Sequence, residues 1–349
     1  MKTANSDNST KTDGADYFFP FGQPLHKVVQ LDQSPKKVFV LGVYASAVHA
    51  QWNGPDGKIK VRALAVASEP YIFWKGDDAD KIIKGIEIHK DLGNLVPAAA
   101  NLNGPSGITL DSQYLYPLGY SRNDAWLCDL LPYSRLNPNQ KKAIEEKYNT
   151  LSAKYNLPIC NIPPLSKNDL DNTERIQEIL TELQRSEAST IILLGDLPIK
   201  HFLSHYSKYT KLSDFTSKSN SYGKNVEIKI EGKIYQVFPL VHPRQAGNLG
   251  FSSKDWSENH NNWVIENLRK YPNRLNRVMQ FVSKKPSVCP VCRSKRIAQY
   301  MYGMPAYSEK LKKELDEGKT ILGGCCISDQ DPSFACLECK TDFYVIPRI

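Results

Sequence analysis

The chain has 349 residues, of which 41% are hydrophobic and 23% charged, and a net charge of +8. That is the composition of an ordinary globular protein, long enough for two domains. No run of 18 apolar residues occurs, which excludes a single-pass hydrophobic helix, and the polar start M-K-T-A-N-S-D-N-S-T does not resemble a secretory signal, so a cytoplasmic protein with no membrane partner is expected. The charge is uneven: residues 287–349 hold 9 basic and 8 acidic residues, leaving 36 and 29 in residues 1–286. That surplus is consistent with a polyanionic partner without requiring one.

Residues 1–16 read as a disordered tail and residues 17–30 as a loop. Lys37–Gly42, K-V-F-V-L-G, is apolar and β-branched and predicts a buried strand. It runs into a stretch expected to be a functional loop, G-V-Y-A-S-A-V-H. Short strands follow at Val61–Ala67 and Asp124–Leu131. Charge and apolar spacing predict amphipathic helices over residues 139–155 and 172–186. Thr190–Gly195, T-I-I-L-L-G, is a continuous apolar strand, Leu197–His205 a helix, and Tyr235–Val241 a last strand ending in His242-Pro243-Arg244. Residues 255–282 read as helical. Strand and helix in alternation predict an open parallel α/β sheet, whose ligands sit at the carboxyl ends of its strands. Those ends carry Gly42 to His49, Asp129, Gly195-Asp196 and His242-Pro243-Arg244. No internal repeat, P-loop or G-x-G-x-x-G is present, and no organic cofactor is expected.

Six of the eight cysteines fall after residue 288: Cys289, Cys292, Cys325, Cys326, Cys336 and Cys339. They include the pairs C-P-V-C and C-L-E-C, one small module apart. Two such pairs place four thiolates at the corners of a tetrahedron suited to Zn²⁺, so Cys289, Cys292, Cys336 and Cys339 are expected to hold a structural zinc. Cys325 and Cys326 are adjacent, follow Gly323-Gly324, and suit a turn with buried thiols. The expected organisation is therefore an α/β domain over residues 17–285 and a zinc-ribbon-like module over residues 286–349.

The α/β part resembles the uracil-DNA glycosylase superfamily over roughly residues 36–265. G-V-Y-A-S-A-V-H at 42–49 is similar to the family's water-activating loop. A-L-A-V-A-S-E-P at 63–70 resembles the segment that supplies the aromatic floor of the base pocket. W-L-C-D-L-L at 126–131 resembles the strand whose Asn reads the flipped base. H-P-R-Q-A-G-N-L-G-F at 242–251 resembles the loop whose His stabilises the leaving base and whose apolar tip fills the vacated stack, and T-I-I-L-L-G matches the strand preceding that loop. The resemblance implies a three-layer α/β/α fold around a mostly parallel sheet, and a DNA partner.

Departures from the family pattern are informative. The water-activating carboxylate falls at Tyr44. The Pro and bulky Tyr that follow it correspond to Ala45 and Ser46, which opens room beside C5 of a base. The stacking Phe corresponds to Val66, and the base-reading Asn to Asp129. An ionised Asp129 would repel the O4 of uracil and accept from an exocyclic amine, as carboxylates do from cytosine N4. These substitutions point to a C5-modified cytosine, such as the glucosylated hydroxymethylcytosine of phage DNA that an antiphage branch of the superfamily removes. Uracil is the alternative substrate, and a non-catalytic reader of nucleic acid or of a modified base is the alternative class.

The resemblance assigns the roles. His242 donates to O2 of the leaving base, Asp129 reads the base, and Glu69 and His49 are candidates for water activation or sugar stabilisation. Gly42, Tyr44, Ser46 and Val66 complete the pocket, Leu249 or Phe251 is the wedge, and Arg244 contacts DNA. No lysine stands out as a nucleophile, so hydrolysis without lyase activity is expected. Plainer structural roles suit the same residues: a turn at His242-Pro243, a buried cap or an Arg135 partner at Asp129, a surface carboxylate at Glu69, core packing at Tyr44 and His49. Residues 199–235 carry seven lysines and three acids interleaved with Phe202, Tyr206, Tyr209, Phe215 and Tyr222, and residues 265–285 add six more basic residues. Both stretches suit phosphate tracking with base stacking, or a solvated face.

Overall fold

The computed structural model describes residues 17–99, 102–216, 222–246, 254–270, 280–282, 284–289, 293–324, 331–338 and 341–345. Its strands, in chain order, are β1 (Val38–Tyr44), β2 (Ala47–Asn53), β3 (Ile59–Ser68), β4 (Asn94–Pro97), β5 (Ala125–Leu131), β6 (Thr190–Leu194), β7 (Val226–Ile230), β8 (Lys233–Leu240), β9 (Gln280–Val282), β10 (Ile297–Met301), β11 (Thr320–Leu322), β12 (Phe334–Cys336) and β13 (Asp342–Val345).

The central sheet has the order β5-β1-β6-β8-β7. Its first four strands are parallel, and β7 adds an antiparallel edge through a hairpin with β8. The fold is thus α/β with a mostly parallel sheet, as the alternation predicts. Val38 to Val43 of β1 and all of β5 are buried, the pattern of strands covered on both faces. The helix Thr173–Arg185 buries Ile176, Ile179, Leu180 and Leu183 in the same core as the sheet, at the i, i+3, i+4 spacing that its sequence shows. β7 was not expected. Its turn, Glu231-Gly232, has positive φ at both residues (44° and 87°), the geometry that closes a two-residue hairpin with the right twist.

Three other stretches differ from expectation for identifiable reasons. The stretch after Gly42 is mostly strand, with only Ala45 and Ser46 between β1 and β2. Together β2, β3 and β4 form a separate antiparallel sheet, β3-β2-β4, which takes the expected strand Val61–Ala67 out of the central sheet. Its inner face packs Val48, Ala50, Trp52, Leu64 and Val66 with Phe19, Phe21, Trp74 and Tyr148 in a second core. The amphipathic stretch 139–155 is helical throughout but passes through a π turn at Ile144–Tyr148. Finally, the helix Lys254–Arg269 ends well before residue 282, and Gln280–Val282 is β9, paired in parallel with β13.

The C-terminal strands form a third sheet, β11-β10-β12-β13-β9, over a small core of Cys289, Ile297, Cys336 and Phe343. None of the helices among the described residues is long and apolar enough to cross a membrane.

Candidate functional site

Because β5, β1, β6 and β8 are parallel, their carboxyl ends share one edge of the sheet. Gly42 on β1 is in register with Asp129 on β5. A Cβ at Gly42 would lie 2.3 Å from Asp129 Oδ1 and 2.7 Å from Phe73 Cζ. Glycine is needed there for space, since the Asp129 carboxyl and the Phe73 ring both close over the bare backbone. Phe73 has φ 52°, a left-handed conformation that costs a non-glycine residue about 1–3 kcal/mol. Several contacts hold it there. The Trp74 indole donates to Asp78 Oδ1 at 2.7 Å, and Arg122 donates to the Ile72 carbonyl at 3.3 Å while pairing with Asp111 at 2.9 Å. Gly107 lies against the Phe73 carbonyl so closely that a Cβ there would come within 2.1 Å of it.

Glu69 follows β3 and is 4% exposed. Its Oε1 accepts from the Ser46 amide at 3.0 Å and its Oε2 from the Trp74 amide at 3.3 Å. One carboxyl therefore ties the β1–β2 junction to the segment carrying Phe73. Burial pushes it up to about 7, against the pull of those backbone donors and of Arg122.

Asp129 is 3% exposed in the middle of an otherwise apolar strand. Burial, and after it the nearby Glu69 carboxyl, hold Asp129 well above the usual carboxylate range; Arg175 opposes them and Glu182 adds to them. The guanidinium of Arg175 donates to the Asp129 main-chain carbonyl at 2.7 Å, to Cys128 Sγ at 3.2 Å, and to Glu178 and Glu182 at 2.8 and 2.9 Å. Arg135 pairs with Asp169 at 3.4 Å, so the Asp129–Arg135 pairing is not formed. Burial and a like neighbour therefore favour the neutral carboxyl over the ionised Asp129 expected from the sequence.

His242 follows β8, beside Gly195 at the end of β6, where a Cβ would meet His242 Cβ at 3.2 Å. Its Nδ1 accepts from the Arg244 amide at 3.2 Å, which leaves the ring proton on Nε2 as a donor. Burial, with Arg244 second, lowers the imidazole to about 4, so the ring is neutral at pH 7. The preceding residue is clamped on both sides. Tyr114 Oη donates to the Val241 carbonyl at 2.7 Å, and the Val241 amide donates to Tyr222 Oη at 3.0 Å. The Tyr222 hydroxyl contacts His260 Nδ1 at 2.8 Å, and His260 stacks on Trp263 at 5.3 Å. Burial lowers His260 to about 3, so it accepts the tyrosine proton as a neutral ring.

The remaining expected residues are placed as follows. Ser46 touches Glu69 through its amide. Tyr44 ends β1 and is 37% exposed. Val66 is wholly buried in the second core, and the aromatic ring against Gly42 belongs to Phe73. His49 lies on β2, its backbone bonded to Asn103 at 2.8 and 2.9 Å and its ring against Gln140; burial lowers it to about 4. Among the described residues its bonds run to Asn103, Gln140 and neighbouring backbone such as Ala98, not to Asp129 or His242. Arg244 is exposed beside His242. Leu249 and Phe251 lie outside the described residues. The aromatics of residues 199–235 turn inward: Phe202 is buried, and Tyr206, Tyr209, Phe215 and Tyr222 pack against the main core. Lys208 and Lys211 between them are exposed, and Lys218 lies outside the described residues. A cleft of about 530 Å³ is lined by residues including His26, Lys27, Ser68 and Glu69, and Gly42, Asp129 and His242 do not line it.

Phe73, Tyr114, Arg175 and His260 were not singled out from the sequence, and Tyr222 was named only among the aromatics suited to stacking. The aromatic run Y-I-F-W directly after Glu69-Pro70 was a usable signal for the first; the others act through contacts distant in the chain.

Cys289 and Cys336 are both fully buried in the C-terminal core. The Arg293 amide donates to the Cys289 carbonyl at 2.9 Å with Arg293 at φ 65°, and the Cys336 amide donates to the Thr341 carbonyl at 2.9 Å, with a turn at Leu337-Glu338. Cys292 and Cys339, like Cys325 and Cys326, lie outside the described residues. Among the described residues no cluster of three or more metal-binding side chains occurs. Neither a protein-family model nor a curated protein matches this sequence.

Proposed function

We propose that this chain is a monofunctional DNA glycosylase that hydrolyses the N-glycosidic bond of a flipped-out pyrimidine, with a C5-modified cytosine such as glucosylated hydroxymethylcytosine as favoured substrate and defence against phage DNA as its setting. The reading takes the α/β domain as a three-layer, uracil-DNA glycosylase-like fold. The observation that carries it is a buried carboxyl and an aromatic ring packed over a glycine, toward the same sheet edge as a histidine whose Nδ1 is engaged by the Arg244 amide, leaving Nε2–H as the donor. β5 and β8 are separated by three strand spacings, roughly 14 Å. That width takes one nucleotide with its base toward Asp129 and Phe73 and its O2 toward His242.

Cleavage leaves positive charge on the sugar and negative charge on the base. A donor fixed before the reaction, as His242 is by Arg244 and by the tyrosine clamp, stabilises the departing base without reorganising. Glu69 acts here as a positioning residue that holds the Ser46 junction and the Phe73 segment. Base flipping needs a wedge, for which Leu249 or Phe251 is suited by the resemblance.

Uracil stays as a second reading because a protonated Asp129 presents one donor and one acceptor, as an amide does. The deciding experiment incubates the protein with DNA containing uracil, unmodified cytosine or glucosylated hydroxymethylcytosine. Free base is read by mass spectrometry and abasic sites by alkali cleavage. Release of the modified cytosine, lost in His242→Ala, supports the reading; release of uracil alone moves the substrate; binding without release from any substrate favours a reader.

In the same proposal, Cys289, Cys292, Cys336 and Cys339 hold one structural Zn²⁺ that closes the C-terminal sheet. The burial of two of these thiols in one small core and the turns beside them fit such a site.

A further inference from the structure

We propose that Asp129 is the acid of the reaction: its carboxyl donates a proton to N3 of the flipped cytosine while its other oxygen accepts a hydrogen bond from the N4 amine. This rests on the glycosylase reading and assigns the site a substrate class, pyrimidines that must be protonated before they leave.

The geometry supplies the argument. Two carboxyls share this end of the sheet, and they are dressed differently. Glu69 receives two backbone N–H bonds, at 3.0 and 3.3 Å, which favour its ionised form. Asp129 is 3% exposed, and among the described residues no backbone N–H donates to its carboxyl. When one of the two must be charged, it is Glu69. The groups that face Asp129 from the packed elements are Glu69 after β3, Arg175 and Glu182 on the helix Thr173–Arg185, and Cys128 on its own strand. Arg175 is the only cation among them, and its hydrogen bonds go to the main chain, to sulfur and to two glutamates.

A carboxylic acid matches the cytosine edge with one donated and one accepted bond. Cytosine is a poor leaving group as an N1 anion. With the Asp129 proton on N3, the C1′–N1 bonding pair moves into the ring and the base departs as neutral cytosine. Water adds to C1′, and the proton that it loses returns to the Asp129 carboxylate, so the enzyme is restored. Uracil already carries a proton on N3 and leaves as an anion that the Nε2–H of His242 stabilises at O2. It makes no demand on Asp129 as an acid.

The test compares wild type with Asp129→Asn on oligonucleotides containing glucosylated hydroxymethylcytosine or uracil, under single-turnover conditions from pH 5.5 to 8.5. The amide keeps a donor and an acceptor but has no acidic proton. Expected is a loss of modified-cytosine release of about a hundredfold or more, the scale of a general acid. The loss should appear in the rate of release at saturating enzyme, and a thermal melt reports whether the variant is folded. In the wild type, modified-cytosine release should fall with rising pH, as the Asp129 proton is lost. Wild-type release in the variant, or a wild-type rate for modified cytosine that is flat or rising across the range, overturns the inference. The pH profile also decides the matter if the variant does not fold. A wild type that releases no base from either DNA instead overturns the glycosylase reading beneath it.

Discussion

Gly42→Ala isolates the pocket from the rest of the fold. The backbone of Gly42 is ordinary strand, so alanine is acceptable conformationally and the whole effect comes from one methyl group. That methyl would stand 2.3 Å from Asp129 Oδ1 and 2.7 Å from Phe73 Cζ. Ordinary contacts are near 3.4 Å, so the carboxyl and the ring must each retreat by roughly 1 Å, out of positions fixed by burial and by a strained φ. Overpacking of this kind costs about 1–3 kcal/mol, equivalent to a fall in melting temperature of roughly 2–12 °C for a domain of this size. A displacement of ~1 Å in a reacting group costs about a hundredfold in rate, or ~2.7 kcal/mol of transition-state stabilisation. Single-turnover excision and a thermal melt measure the two effects on the same preparation. A Gly42→Ala protein with wild-type melting and wild-type excision would refute the placement of Asp129 and Phe73 over Gly42.

Tyr222→Phe removes a hydroxyl that serves both the Val241 amide and His260. It should cost about 1–3 kcal/mol in denaturant unfolding and lower kcat with little change in KM, because the base still binds while the His242 donor is less well held. Arg175→Met leaves Glu182 and the Asp129 carbonyl without their shared donor and should destabilise by about 3–5 kcal/mol; a loss below ~1 kcal/mol would show that the guanidinium is dispensable. His260 binds protons less readily folded than unfolded, so it withdraws stability as pH falls from 6.5 toward about 3. His260→Phe should therefore shrink the stability difference between pH 7 and pH 5 by about 2 kcal/mol, and an unchanged difference in urea titrations at the two pH values would contradict its neutral burial. Metal analysis should find one zinc per chain, lost with Cys289→Ser, and a strong chelator should lower the melting temperature of the C-terminal sheet; a full melt insensitive to chelation with no bound metal would remove zinc from the account.

The sequence by itself determined the local elements whose cause is local. K-V-F-V-L-G, W-L-C-D-L-L and T-I-I-L-L-G are continuous apolar runs, and only strands covered on both faces bury such runs completely. The helix Thr173–Arg185 follows from apolar spacing that lies within one element. Parallel alternation then placed Gly42, Asp129 and His242 toward the carboxyl ends of strands; Gly42 and Asp129 lie two residues inside the ends of β1 and β5, and His242 lies just past β8. The hairpin β7–β8 escaped notice because Glu231-Gly232 sits in a lysine-rich stretch whose alternation is short. The separate sheet of β2, β3 and β4 could not be read either: membership of a sheet depends on which backbone hydrogen bonds are made across the chain, and A-V-H-A-Q-W-N serves a loop or an edge strand equally well. Protonation was the property furthest from the sequence. An aspartate reads as a charge until it is known to be buried, to face Glu69, and to have its nearest cation occupied elsewhere. The ring over Gly42 was likewise decided by tertiary contacts, since Phe73 reaches it only through a left-handed turn held by Glu69, Asp78 and Arg122. Burial and mutual distance set the chemistry of this site, and both are properties of the folded chain.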